Sequence, residues 1–264
     1  MGEYKSVISS LLVCGYAYLP IDTALVSNAN SAASLFLQAK MSVWGDWAFT
    51  RPGDEFPSVG IIHEARSGEP DRSALYFTHD LPHYASKAKV SEGAPYALEC
   101  IRVVERLYKH LQSRAGYLVF ELDKHSALSN LPSRVKTSFG FQGQCRPTEL
   151  RLLSGTQVQS VCEEGQIDPG LLTFHLGAES GDIQIQDERS GNWFLATPPQ
   201  GSVLVFFGNK VNDLGNPELR PIRHKSMAAS GKPYLATYMI VEADTTEIVP
   251  DVDKTNVLAL SRSG

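Results

Sequence analysis

Gln166-Ile167-Asp168-Pro169-Gly170-Leu171-Leu172-Thr173 is the stretch on which the reading of this chain turns. On an extended strand successive side chains alternate faces, so Gln166 and Asp168, flanking Ile167, point to the same side. Two hydrogen-bonding groups so placed can grip one ion or one polar molecule. Pro169-Gly170 then offers a turn, and Asp168 ahead of it also has the plain reading of a turn-forming aspartate. A carboxylate in a protein interior is costly without a partner, so Asp168 requires one.

Downstream of residue 146 the pattern is that of short strands. Apolar or alternating runs recur at 149–153, 172–176, 183–186, 193–196, 203–207, 222–227 and 235–241, separated by Gly, Pro, Asn and Asp clusters. Such spacing predicts an all-β sandwich or barrel. Upstream the chain reads as mainly helical to about residue 130. Helix-like apolar spacing covers 5–13 and 22–39, with Asp22 a candidate N-cap, and Gly15 to Ile21 reads as one strand. The strongest helical period runs from Ala94 to about Ala115 through Leu98, Ile101, Val104, Leu107, Tyr108 and Leu111. Residues 41–93, rich in Gly, Pro, Ser and charge, read as irregular chain around a pocket rim. The expectation is a single unit over 1–264: a helical support at 1–130, a β core at 146–244 and a polar tail at 245–264.

Composition narrows the function classes. The chain has 264 residues, 42% hydrophobic and 20% charged, with net charge −5, and it shows no basic stripe that would suit nucleic acid. Cys14, Cys100, Cys145 and Cys162 show no Cys-x-x-Cys pairing, which favours reduced thiols and a cytoplasmic location. No stretch reaches the roughly 20 apolar residues of a membrane span. Val7 to Tyr18 is apolar but runs into Leu19-Pro20-Ile21-Asp22 without a small-residue cleavage site, so a buried helix and strand explain it better than a signal peptide. Met1-Gly2-Glu3-Tyr4-Lys5-Ser6 formally fits a short and common myristoylation pattern.

The 166–173 stretch resembles the His-x-Asp-x-Gly-x-Leu-Thr signature of the isopenicillin N synthase-like branch of the Fe(II)/2-oxoglutarate-dependent dioxygenases, with Gln166 in place of the histidine. Other segments extend the resemblance over nearly the whole chain. Leu12 to Leu19 is similar to the family's Gly-Phe-Phe strand, and Leu150-Arg151-Leu152 opens the core as in the family. Trp193, Pro198-Pro199, Gly201-Ser202 and Val203-Leu204-Val205 resemble its Trp…Pro-Pro…Gly strand pair, and His224 stands at the distal histidine, 224 − 168 = 56 residues beyond Asp168. The resemblance implies an α+β fold, a double-stranded β-helix (jelly-roll) barrel with a helical N-terminal half.

The chain departs from the family at the positions that carry its chemistry. Where the family begins the Arg-x-Ser that clasps 2-oxoglutarate, this chain has Tyr234-Leu235-Ala236. A phenol and a methyl cannot make the bidentate pair that a guanidinium makes with a carboxylate. The tyrosine that the family commonly has just after the Leu-Arg-Leu strand, another co-substrate contact, is also missing, and Ser154-Gly155 occupies that neighbourhood. Together these departures imply that iron and 2-oxoglutarate were abandoned while the scaffold was kept, leaving no cofactor.

In that reading His224 is a catalytic acid/base, oriented by Asp168, while Gln166 and Tyr234 hold oxygen atoms of the substrate. The alternative reading of the pair is two relic ligands hydrogen-bonded together. The expected activity is isomerisation, cyclisation or elimination on a small organic substrate of specialised metabolism, an aromatic one among the candidates. Two alternatives stand beside it: an atypical Fe(II) oxygenase with Asp168 and His224 as ligands, and a catalytically silent binding or partner subunit. Neutral amides are weaker ligands for Fe(II) than imidazole, which sets Gln166 apart from a metal role. Among other histidines, His175 lies seven residues past Asp168 and is expected to face the opposite side. His79 and His83 are expected in a loop, since Pro82 disfavours a helix between them. His63, His110 and His125 read as surface or helix positions, and Arg223 and Lys225 as solvated flanks of His224.

Overall fold

The computed structural model describes residues 2–22, 24–25, 27–28, 31, 48–49, 59–64, 72–78, 81, 83, 94–123, 149–156, 165–178, 181–187, 190–214, 216–217, 219–228 and 233–241. Helix α1 (Gly2–Cys14) leads into β1 (Tyr16–Pro20), followed by β2 (Ala48–Phe49), β3 (Val59–Glu64) and β4 (Arg72–Phe77). Helix α2 (Ala94–Asp123) precedes β5 (Glu149–Thr156), β6 (Leu172–Ala178), β7 (Gly181–Gln186), β8 (Trp193–Leu195) and β9 (Ser202–Phe207). A 3-10 helix (Asn209–Leu214) then leads to β10 (His224–Ala228) and β11 (Pro233–Val241).

The strands form an eight-stranded sheet in the order β1-β9-β6-β11-β5-β4-β3-β2 and a three-stranded sheet in the order β10-β7-β8. Every pairing is antiparallel. Period-2 alternation gives the large sheet two chemically distinct faces. Leu172 and Phe174 of β6, Val203, Val205 and Phe207 of β9, and Ala17 and Leu19 of β1 join one core with the helices. Helix α2 supplies Val104, Leu107, Leu111, Leu118 and Leu122 to that core at three- and four-residue steps. Each such side chain fully buried contributes about 1.5–3 kcal/mol before entropy is counted. The opposite face carries Leu204 and Phe206, which pack with Ile183 and Ile185 of β7, Ala196 and Ile222 in a second cluster between the sheets. It is this inner face that positions the site.

The C-terminal strands follow the sequence pattern, and Asp22 caps its segment, accepting from the Ala24 amide at 2.9 Å. Three expectations are corrected. The first 130 residues are not simply a helical support: β1 to β4 lie within them and build half of the large sheet. Residues 41–93, expected to be irregular, contain three of those strands, whose ladders run β2-β3-β4-β5. Nor do the strands among the described residues close into a barrel; they form two separate sheets packed face to face. The polar tail at 245–264 lies outside the described residues.

Candidate functional site

Gln166 and His224 meet through the backbone. They form an isolated antiparallel bridge, with reciprocal amide–carbonyl hydrogen bonds of 2.8 and 2.9 Å, so the 166–168 segment extends the small sheet beside β10. Gly165 makes this approach possible. It has φ +67°, and a Cβ there would lie 2.4 Å from Trp193 Cη2. Arg223 Nη1 donates to the Gly165 carbonyl at 3.3 Å, and Lys225 Nζ sits 4.3 Å from the Trp193 ring centroid. These two cations, expected to be solvated, are therefore half-buried and engaged with the segment leading into the site.

Asp168 ends the bridged segment, and the turn after it is pinned to the start of the 3-10 helix. The Asn209 amide donates to the Asp168 carbonyl at 2.7 Å, Lys210 to Gly170 at 3.1 Å, and Gly208 to Leu171 at 2.9 Å. Gly208 lies so close that a Cβ on it would stand 2.2 Å from the Gly170 carbonyl oxygen. The chain then enters β6, where the Thr173 hydroxyl donates 2.7 Å to Asp168 Oδ2. The other carboxylate oxygen, Oδ1, stands 3.7 Å from His224 Nε2, with the two side chains only 9% and 6% exposed. That gap is ion-pair range and beyond a hydrogen bond. His224 Nδ1 faces the Ile222 carbonyl at 3.4 Å, a contact that suits the tautomer protonated at Nδ1. Gln166, exposed as a residue, brings its Nε2 to 3.4 Å from that same His224 Nε2.

The imidazole of His224 packs on Phe206, ring centroids 4.7 Å apart. Phe206 pairs in register with Thr173, so His224 lies against the inner face of β9 and β6. This brings in a residue that the sequence reading places elsewhere. His175, two residues after Thr173, shares the face that serves Asp168 and is itself buried. Burial, and then the neighbouring His224, lower its pKa to about 4. Expecting it on the far side assumes one continuous strand from Asp168, whereas the Pro169-Gly170 turn resets the alternation before β6 begins. The sequence reading also misses Thr173, although a Thr-x-His on one strand puts both on one face. Tyr234 is placed by backbone only, opposite Gly155 of β5 and four residues before Tyr238, the register partner of His175. Its side chain, and His79 and His125, fall outside the described residues. His110 is half-buried on α2 and His83 is exposed. Cys14 is exposed and Cys100 buried, and neither is in a disulfide.

At the signature positions the donors are one carboxylate, one imidazole and one amide, with the buried His175 imidazole on the same face. Fe(II) sites of the facial-triad type take two imidazoles and a carboxylate. Among the described residues, no three His, Cys, Asp or Glu side chains are grouped to hold a metal. A tyrosine also occupies the position from which a guanidinium would clasp 2-oxoglutarate. At the signature positions the described residues thus present the Asp168 carboxylate and the His224 imidazole, with the Gln166 amide in third place.

No family model matches the sequence, and no curated protein matches it. Solved structures do match in fold. A Caulobacter crescentus protein assigned to the 2OG-Fe(II) oxygenase family superposes with TM-score 0.67 at 19% identity, covering 91% of this chain and 81% of that one. A full-length Neurospora crassa protein, in complex with alpha-KG and 5-formyluracil, gives 0.67 at 13% identity over 91% and 78%. The rice dioxygenase for auxin oxidation gives 0.63 at 13% identity over 91% and 78%. The chain thus has the fold of the 2OG-Fe(II) oxygenases. At three positions of the resemblance noted in its sequence it carries Gln166, Tyr234 and Ala236.

Proposed function

We propose that this chain is an enzyme of small-molecule metabolism that uses the oxygenase scaffold for redox-neutral acid–base chemistry without iron or 2-oxoglutarate. The reaction class is isomerisation, cyclisation or elimination. The observation that carries the reading is the Asp168–His224 pair, with Oδ1 3.7 Å from Nε2 and Oδ2 fixed by Thr173. His224 Nε2 takes a proton from the substrate and returns it, while Asp168 is placed to stabilise the imidazolium formed between these steps. At that separation Asp168 does not hydrogen-bond Nε2, whose near neighbour is the Gln166 side-chain amide at 3.4 Å. Gln166 and, by its strand position, Tyr234 hold substrate oxygen atoms.

The substrate is a small organic molecule, and an aromatic or heteroaromatic one suits the comparison. Proteins of similar fold are described in complex with thymine, or named for auxin oxidation. The competing reading, an Fe(II) oxygenase using Asp168 and His224, draws on the convergence of one carboxylate oxygen and one ring nitrogen. Anaerobic titration of the purified protein with Fe(II) separates the two. We expect no saturable binding at equimolar metal; tight stoichiometric binding lost in Asp168→Ala would refute the metal-free chemistry. Incubation with a pooled metabolite extract in D2O then tests catalysis. Wild type is expected to exchange deuterium into one compound class, and His224→Ala is expected not to; exchange unchanged in the variant would end the acid–base role.

A further inference from the structure

We propose that the solvent-facing stripe of α2 pairs with the same stripe of a second copy of this chain. The two helices run antiparallel, so the aromatic end of each meets the basic end of the other. This pairing is independent of the chemistry at Asp168 and His224, and either can fail alone.

The stripe follows from the helix itself. α2 runs for 30 residues, and its inner face sends Val104, Leu107, Leu111, Leu118 and Leu122 into the core. On the opposite face Arg102, Arg106, Lys109, Ser113, Tyr117 and Phe120 follow one another at steps of four and three, the spacing of a helix-pairing seam. Between residues 101 and 122 these six are the exposed positions. The three cationic side chains are 71, 65 and 68% exposed. At the other end Tyr117 is 38% and Phe120 54% exposed, one aromatic patch of neighbours at i and i+3. Tyr117 is anchored by its contact with the Tyr4 ring, centroids 4.4 Å apart.

The order of charge and ring along the stripe selects the direction. A parallel pair lays cation on cation. An antiparallel pair, about a two-fold axis between Lys109 and Ser113, sets Arg102 opposite the second copy's Phe120 and Arg106 opposite its Tyr117, with each contact made twice. A guanidinium over an aromatic face is attracted by the ring quadrupole. The small Ser113 lies opposite Lys109 and lets the helices approach near the axis. Lys109 brings its own counter-charge, Glu105 at 2.6 Å, so the two lysines do not meet bare. The stripe covers 120 − 102 = 18 residues, about 27 Å, so the two Arg102 side chains stand far beyond the ~8 Å screening length. A helix pair of that length buries on the order of 900 Å² in total, which suits a reversible dimer with a dissociation constant of about 10–100 μM.

Sedimentation velocity of the full chain, from about 1 to about 500 μM, reads the association directly, and wild type is expected to pass from monomer to dimer across that range. Phe120→Lys sets a cation against the second copy's Arg102 and is expected to raise the dissociation constant at least about tenfold. Adding Arg102→Glu to that variant turns the clash into an opposite-charge pair and is expected to bring the constant back to within about threefold of wild type. Both positions are exposed, so an unchanged urea midpoint in each variant verifies that the fold is kept. A monomer at every concentration would overturn the pairing, as would a constant unmoved by Phe120→Lys. A double variant that associates no more tightly than Phe120→Lys alone would overturn it too, since only the antiparallel register brings residues 102 and 120 together.

Discussion

Thr173→Val is the sharpest test of how the site is held. Valine keeps the volume, the branching and the strand preference of threonine, so the change removes one hydroxyl and little else. That hydroxyl donates 2.7 Å to Asp168 Oδ2, with the residues 1% and 6% exposed. A hydrogen bond to a charged group contributes about 1.5–3 kcal/mol, and little water reaches this carboxylate to replace it. We expect a loss of about 2 kcal/mol, read as a lower urea midpoint at unchanged slope. The same loss should lower the melting temperature by about 4–8 °C for a chain of this size. A cycle with Asp168→Ala isolates the contact, with an expected coupling of about 1–2 kcal/mol, since independent sites add to within about 0.5 kcal/mol. Additive effects, or a Thr173→Val protein as stable as wild type, would refute the claim that this hydroxyl orients Asp168.

Acid sensitivity follows from His175. Its pKa falls from 6.5 to about 4 on folding, so the unfolded chain binds the proton more readily within that window. Its contribution is fully present above pH 6.5 and is lost as pH falls toward 4, and the gap between those two values corresponds to about 3 kcal/mol. Urea denaturation across this window should show a steeper loss for wild type than for His175→Leu; parallel profiles would contradict the burial argument. Gly208→Ala should lower stability by about 1–3 kcal/mol and disturb the Asp168 turn, because the new methyl would stand 2.2 Å from the Gly170 carbonyl. Altered His224 and Thr173 chemical shifts in that variant would confirm the path, and a native-like spectrum would count against it.

The sequence by itself determined the C-terminal strands, the long α2 helix and the identity of Asp168 and His224 as a pair. Period-2 and period-3.6 apolar patterns are local, and a signature with one letter changed still marks its place in a fold. β2 to β4 escaped because they sit among Gly, Pro and charged residues, and their pairing partners supply what local preference lacks. The membership of the site was decided only in three dimensions. Gln166 and His224 are 58 residues apart and meet through two backbone hydrogen bonds that no periodicity announces. His175 joined them because Pro169-Gly170 turned the chain, and face alternation does not carry through a turn. The Gln166-x-Asp168 pattern was legible in the letters; the imidazole of His175 joined its face only when the turn at Pro169-Gly170 and the packing of two sheets buried it.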